Sequence, residues 1–321
     1  FFDECIRLGI HLPAYGKYGV GMLFFPRDIM LKEECRDIFN RAAEKLGLEI
    51  LGYRKVPVNP EGLGNTALSV EPEMEQVFVA SPDHISNPED FERKLFILRN
   101  YSSHTIANTV KKDPIGFYVS SLSYKTVVYK GQLTSLQVRD YFPDLRNNRV
   151  VSAFGLIHSR FATNTFPSWK LAQPFRYIAH NGEINTVQGN LNWLKTSEMG
   201  FESPYFTKEE MDMLLPIVTE GQSDSACLDN MIELLLLCGR PLPHVMMMLI
   251  PEAWDGNEQM DPVKKAFYEF HASLMEPCDG PASISFTDGK IIGATLDRNG
   301  LRPSRYCVTT DDRVIMASET G

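Results

Sequence analysis

The chain has 321 residues, of which 43% are hydrophobic and 23% are charged, and its formal net charge is −9. This composition is typical of a globular protein with a sizeable core, and the acidic balance argues against a nucleic-acid-binding protein. Apolar runs such as LLLLC at 234–238 are far shorter than the roughly 18–20 residues of a membrane helix, so we expect no membrane partner.

The first half of the chain carries both helical and strand patterns. Apolar, β-branched and aromatic residues predict strands at 18–26, at 48–57 and, as two short arms joined by a polar turn, at 117–133. A period of 3.6 residues predicts helices at 1–13, 30–46 and 88–108. Gly47 follows the second of these helices and is a suitable stop for it.

The second half continues in the same mixed way. Further strands are predicted at 152–163, at 174–184 and, as a hairpin through Asp288-Gly289, at 282–297, followed by RYCV and VIMAS. Helices are predicted at 187–197, at 223–238 and from Asp261-Pro262 to residue 275. Because strands cluster early, in the middle and at the end, with helices grouped between them, we expect an α+β protein rather than an alternating βαβ chain.

The six cysteines form no CxxC pair, and several lie within apolar patterns such as ACLDNMIELLLLC. This usage predicts free core thiols in a reducing compartment, the cytoplasm. It argues against a disulfide framework and against a metal site.

Three short polar motifs stand at the edges of apolar elements, where loops present side chains on a rigid scaffold. They are HSRFATNT (158–165), HNGEINT (180–186) and QSDSACLDN (222–230).

The second motif offers hydrogen-bond donors at the end of a predicted strand. Gly182 lets a ligand approach its backbone N–H closely, and the side chain of Asn181 adds a neutral donor. Two donors aimed at one oxygen are what a developing oxyanion requires. The alternative is an ordinary turn, because Asn-Gly is common in hairpins.

The other two motifs each supply one charge. Arg160 leaves a predicted strand and is suited to clamp a carboxylate, or else it forms a structural ion pair. Asp224 begins an apolar helix and either caps it or receives a substrate ammonium group. Together with the donors at 181 and 182, these charges describe a receptor for an amino acid. Glutamine fits best, because cleavage of its side-chain amide makes an oxyanion hole useful.

HSRFATNTFPSWKLAQPFRYIAHNGEINTVQGN, with SDSACLDN and DRNGLRPSRY downstream, resembles the class II glutamine amidotransferase domain of the glutamate synthase large subunit. The resemblance covers residues 1–321 as one domain. It implies an N-terminal-nucleophile sandwich, with two antiparallel β-sheets between helical layers. It also implies that Asn181 and Gly182 form the oxyanion hole, Arg160 binds the substrate carboxylate and Asp224 its ammonium. Thr163 is expected beside the substrate.

In this family the nucleophile is a cysteine at the mature N-terminus, and its own α-amino group, with a pKa near 8, serves as the base. Residue 1 is Phe here, and Cys5 lies within helical spacing, so we do not assign Cys5 as the nucleophile. We therefore expect a chain truncated at both ends, poorly stable and inactive as a glutaminase by itself.

The resemblance also implies partners. In glutamate synthases the released ammonia reacts with 2-oxoglutarate in a distant domain that carries FMN and an iron–sulfur cluster, and none of these cofactors is expected within this segment. Expected partners are L-glutamine, the remaining synthase domains, and a small NADPH-oxidising subunit or ferredoxin. NADH is a further possible electron donor, and a plastid location applies to a photosynthetic eukaryote.

Two alternatives remain open. One is a non-catalytic module that senses glutamine or docks on a partner. The other is an amidotransferase of purine or amino-sugar synthesis, which DRNGLRP suggests but the continuation NTVQGNLNWL argues against.

Overall fold

A computed structural model describes residues 2–113, 115–159, 166–218 and 221–319. The chain divides into two units. The first contains Phe1–Arg176 and Phe206–Leu215, and the second contains Tyr177–Tyr205 and Pro216–Gly321.

The first unit is built on a four-stranded antiparallel sheet of order β2-β3-β1-β4. Its strands are β1 (Tyr18–Phe25), β2 (Glu49–Lys55), β3 (Glu73–Ala80) and β4 (Tyr118–Ser123). Its helices are α1 (Phe2–Arg7), α2 (Ile29–Lys45), α3 (Asn65–Ser69), α4 (Pro88–Thr109), α5 (Ser135–Tyr141) and α7 (Lys208–Leu214).

The main core of this unit lies where α2 and α4 pack on one face of the sheet. Leu23 of β1 and Val77 of β3 contribute from the sheet, and Phe39 of α2 and Leu95 of α4 contribute from the helices. The two helices start at local signals. The Asp28 side chain accepts a hydrogen bond from the N–H of Leu31, and Asn87 caps α4 just before a proline. Helix α2 ends where Gly47 adopts a positive φ of 68°.

The second unit contains a three-stranded antiparallel sheet of order β5-β6-β7 and a separate hairpin. The sheet strands are β5 (Ile178–Gly182), β6 (Ala282–Thr287) and β7 (Ile292–Leu296), and the hairpin strands are β8 (Arg305–Val308) and β9 (Val314–Ala317). The helices are α6 (Val187–Ser197), α8 (Asp224–Leu237), α9 (Leu242–Leu249) and α10 (Pro262–Ala272). Helix α8 is buried along nearly its whole length.

The predicted α+β class with antiparallel sheets and helices is confirmed, and it fits the N-terminal-nucleophile fold of class II amidotransferases. The prediction of one domain over residues 1–321 stays a prediction. Among the described residues, no helix is both long and apolar enough to cross a membrane.

Two of the predicted strands are wrong in part. Only Tyr118–Ser123 of the 117–133 segment is a strand. The second predicted arm does not pair with the first through backbone hydrogen bonds. A serine side chain takes part instead, since the N–H of Val128 donates to Ser121 Oγ at 3.0 Å. Residues 152–159 form no strand, and Ile157 is 86% exposed rather than packed in a sheet.

A pair of histidines joins α9 to α10. His244 Nε2 lies 2.9 Å from His271 Nε2, so the two rings share one proton between these atoms. The ring of Phe267 contacts both imidazoles. Burial lowers the pKa of both histidines below 6.5, and the positive charge of Arg240 lowers both pKa values further.

This pair predicts a loss of stability in mild acid. The unfolded chain binds protons at its histidines below about pH 6.5, whereas the folded pair resists a second proton, so the stabilisation present above pH 6.5 is lost as the pH falls. Urea unfolding at pH 7.5 and 5.5 should show a decrease in the free energy of unfolding that is smaller in the His271→Phe variant. The exposed His84, changed to Phe, is the control. An equal decrease in the His271→Phe variant would contradict the prediction.

Candidate functional site

The motif His180-Asn181-Gly182 forms the last three residues of β5. These residues pair in register with Ile284, Ser283 and Ala282 of β6. Asn181-Gly182 therefore does not close a hairpin, because the partner strand comes a hundred residues later in the chain. The ordinary-turn alternative is wrong.

Gly182 is required by a close approach of two backbone segments. Its φ is +147°, a conformation that side chains rarely adopt. A Cβ atom at this position would lie 1.9 Å from the carbonyl oxygen of Pro281. No other residue fits there without a shift of the backbone.

The pairing pattern fixes the direction of the Gly182 N–H. Opposing residues in an antiparallel ladder alternate between bonded and non-bonded pairs. The N–H of Glu183 donates to Pro281 O at 3.0 Å. The N–H of Ala282 donates to the side chain of Asp297, and the Ala282 carbonyl oxygen accepts the N–H of Asp297. Gly182 and Ala282 are therefore a non-bonded pair, and the N–H of Gly182 points to the side of β5 away from β6.

The side chain of Asn181 is exposed at the same strand end. Its Nδ2 donates a hydrogen bond of 2.8 Å to Ser318 Oγ, just after β9. An amide nitrogen carries two N–H groups, so this bond orients the side chain and uses one of its donors. Asn181 and Gly182 thus present donors from adjacent residues.

Asp224 is the first residue of α8, but it is not the cap of that helix. Ser223 is the cap, since its side chain accepts a hydrogen bond from the N–H of Ala226. The Asp224 carboxylate instead accepts the N–H of Ile184 at 2.9 Å and the N–H of Ser225 at 2.6 Å. The capping alternative is therefore wrong, and Asp224 is bonded to the segment that follows Gly182.

Ser225 links His180 of β5 to Asp224. The Ser225 hydroxyl donates to Asp224 Oδ1 at 3.0 Å, and the same hydroxyl lies 2.7 Å from His180 Nδ1. Because the hydroxyl proton is used on the carboxylate, His180 Nδ1 carries the hydrogen of the second bond.

Asp229 holds the other end of β5. This carboxylate is fully buried, and its Oδ1 accepts the N–H groups of Tyr177 at 2.8 Å and Ile178 at 3.3 Å. Ser225 and Asp229 stand four residues apart and so lie on one face of α8. Their roles are absent from the sequence-based predictions, although this spacing within QSDSACLDN is a signal that could have revealed them.

Asp224 bonds to Ile184, two residues after Gly182, and the predicted roles of Asn181, Gly182 and Asp224 stay predictions. Arg160 and Thr163 lie outside the described residues. Across the described ranges, no group of three or more His, Cys, Asp or Glu side chains is placed to bind a metal ion.

The cysteines are free thiols, in agreement with the sequence. Cys5 is fully buried, and burial raises the pKa of its thiol. Burial likewise raises the pKa of Cys227 and of Cys278 to about 12. Since the thiolate is the nucleophilic form, these cysteines are poor nucleophiles at neutral pH.

The chain thus has an α+β fold in which the end of β5 lies next to a carboxylate at the start of α8. The chain belongs to the class-II glutamine amidotransferases, whose family model matches residues 1–321.

Within that class, the chain is similar to glutamate synthases. It is 47% identical to the glutamate synthase (NADPH) large chain of Bacillus subtilis over 321 residues, and the matched region is 100% of this chain and 21% of the relative. It is 49% identical to the glutamate synthase (NADH) of Schizosaccharomyces pombe, over 98% of this chain and 15% of the relative. It is 41% identical to the ferredoxin-dependent glutamate synthase 2 of Synechocystis, over 97% of this chain and 20% of the relative. The predicted resemblance is confirmed, and the chain spans about a fifth or less of the length of these relatives.

Proposed function

We propose that this chain is the glutamine-binding and glutamine-hydrolysing domain of a glutamate synthase, releasing ammonia for transfer to 2-oxoglutarate. The observation that carries the proposal is the 2.9 Å hydrogen bond from Ile184 N–H to Asp224. It fixes a carboxylate two residues beyond the proposed oxyanion donors. Similarity to three kinds of glutamate synthase supports the same function.

Each proposed role follows from charge and donor chemistry. Asn181 and Gly182 donate to the side-chain carbonyl oxygen of glutamine and stabilise the negative charge that develops there. Asp224 receives the α-ammonium group. Arg160 clamps the α-carboxylate, with Thr163 beside the substrate.

In the proposed reaction a cysteine thiolate attacks the amide carbon. The carbonyl electrons move to the oxygen in the oxyanion hole. They return as the amide nitrogen takes the proton that the α-amino base removed from the thiol and leaves as ammonia, and water then releases glutamate from the thioester. We expect this chain to bind glutamine through these residues.

The electron-transfer chemistry belongs to other parts of the proposed parent enzyme. We place FMN and the iron–sulfur cluster in the remaining synthase domains, with NADPH, NADH or ferredoxin as the electron source. The proposed location is the cytoplasm, or the plastid of a photosynthetic eukaryote.

Calorimetry tests the proposal, and it should show that this chain binds glutamine. Asp224→Ala should weaken binding about 100-fold, because one charged contact is worth about 3 kcal/mol. The same change at the exposed Asp255 is the control. Absence of glutamine binding would contradict the proposal.

A further inference from the structure

We propose that residues 279–281 are a positioning segment that fixes the Gly182 N–H, the backbone oxyanion donor of the glutamine site. This inference rests on the proposed function. The segment comes just before β6 and runs beside the chain that leaves β5 after Gly182.

Two glycines let the segment and the donor strand approach each other. Gly280, like Gly182, has a φ of +147°, and a Cβ atom at Gly280 would lie 2.0 Å from the carbonyl oxygen of Glu183 and 2.9 Å from Asn185 N. The obstacles at both glycines are backbone atoms, which move only if the whole segment moves. A side chain at either position therefore forces the two segments apart.

Hydrogen bonds continue the pairing beyond the end of β5. The N–H of Glu183 donates to Pro281 O at 3.0 Å, and the N–H of Asn185 donates to Asp279 O at 2.8 Å. Between them, the N–H of Ile184 points the other way, to Asp224. Of the three consecutive N–H groups at 183–185, the first and third donate to the positioning segment. The second donates to the carboxylate that is proposed to bind ammonium.

A side chain closes this arrangement. Thr186 Oγ1 accepts the N–H of Asp279 at 2.9 Å and donates to Asn190 Oδ1 at 2.7 Å. The Asn190 amide in turn donates to the carbonyl oxygen of Glu276 at 3.0 Å. The start of α6 is therefore tied to the chain that leads into residues 279–281.

The consequence concerns the direction of the backbone donor. The N–H of Gly182 points away from β6 only because residues 183 and 281 form the bonded pair next to it. A displacement of about 1 Å at reacting or binding groups is enough to cost up to about 100-fold in function. Residues 279–281 touch no substrate in this scheme, so they are positioning residues rather than catalytic ones.

The experiment is Gly280→Ala, with Gly256→Ala as a matched control. Gly256 also has a positive φ, +69°, but a Cβ there meets nothing within 4 Å. Calorimetry measures binding of L-glutamine and of L-norvaline, which carries the same α-amino and α-carboxylate groups but no side-chain carbonyl. Gly280→Ala should weaken glutamine binding about tenfold and change norvaline binding less than twofold, and the control should change neither.

The outcomes separate this inference from the proposed function. A wild-type chain with no preference for glutamine over norvaline would contradict the proposed function. A wild-type preference that survives unchanged in Gly280→Ala, or an equal loss for both ligands, would overturn the positioning role alone.

A second pair of variants covers the case in which Gly280→Ala fails to fold. Thr186→Val removes the acceptor for the Asp279 N–H, whereas Thr186→Ser keeps the hydroxyl. Glutamine binding should weaken about fivefold in the valine variant and recover in the serine variant, with norvaline binding unchanged in both. Equal glutamine affinities in the two variants would overturn the inference.

Discussion

Replacing Arg54 with methionine should lower the free energy of unfolding by about 3–5 kcal/mol, the usual cost of removing one partner of a buried ion pair. Arg54 lies in β2 and is 2% exposed. Its guanidinium binds both carboxylate oxygens of Asp144 at 2.8 Å, Glu4 at 2.7 Å and the side-chain oxygen of Gln76 at 2.9 Å. Methionine fills a similar volume but leaves the buried side of Asp144 without its counter-charge.

Urea unfolding at pH 7 measures this effect, with Arg41→Met on the exposed face of α2 as the control. The double variant Arg54→Met/Asp144→Asn should lose less stability than the sum of the two single variants, because the second change removes the stranded charge. A loss below about 1 kcal/mol for Arg54→Met, or strictly additive losses, would contradict the assigned ion pair.

The elements predicted best are those whose signals lie within a few residues. Helices α2, α4 and α10 are capped by Asp28, Asn87 and Asp261. Each of these side chains accepts a backbone N–H in the first turn of its helix. The hairpin of β6 and β7 turns at Asp288-Gly289, as predicted, and φ at Gly289 is +86°. Local chemistry decides such boundaries, so one sequence is enough to locate them.

Strand β3 is absent from the predicted elements although it lies inside the sheet. Its sequence EMEQVFVA carries Glu75 and Gln76 at buried positions, which hides the strand pattern. The partners of Glu75 are Lys32 at 2.8 Å and Arg36 at 2.6 Å, about forty residues earlier. A buried carboxylate is acceptable only because those cations reach it, and the sequence does not show that they do.

In the candidate site, too, some features follow from local sequence and others depend on the tertiary fold. The motifs indicate candidate residues, and the structure shows that Asp224 bonds to Ile184, just after Asn181-Gly182. The supporting contacts of residues 279–281 join segments about a hundred residues apart, and CDGPAS alone resembles an ordinary loop. Pairing at that separation depends on the tertiary fold, so no local pattern predicts it.

Replacing Asp229 with alanine is expected to lower the free energy of unfolding by about 3 kcal/mol. The reason is that two backbone N–H groups at the start of β5 lose their buried acceptor. Each buried donor without a partner costs about 1–3 kcal/mol, and the missing carboxylate also leaves a small cavity beside α8. Asp229→Asn keeps one carbonyl oxygen and should lose less stability than the alanine variant.

Hydrogen exchange of the Tyr177 and Ile178 amides gives a direct measure, alongside urea unfolding. Both amides should exchange faster in Asp229→Ala, while the amides of β1 in the first unit keep their wild-type rates. The exposed Asp255, changed to alanine, should alter neither the exchange nor the stability. Wild-type protection at residues 177 and 178 in Asp229→Ala would show that β5 is held in place without this carboxylate. β5 ends in Asn181-Gly182, so a strand that is less ordered at its start should also bind glutamine more weakly. Glutamine binding by Asp229→Ala therefore tests whether the buried helix α8 supports the site.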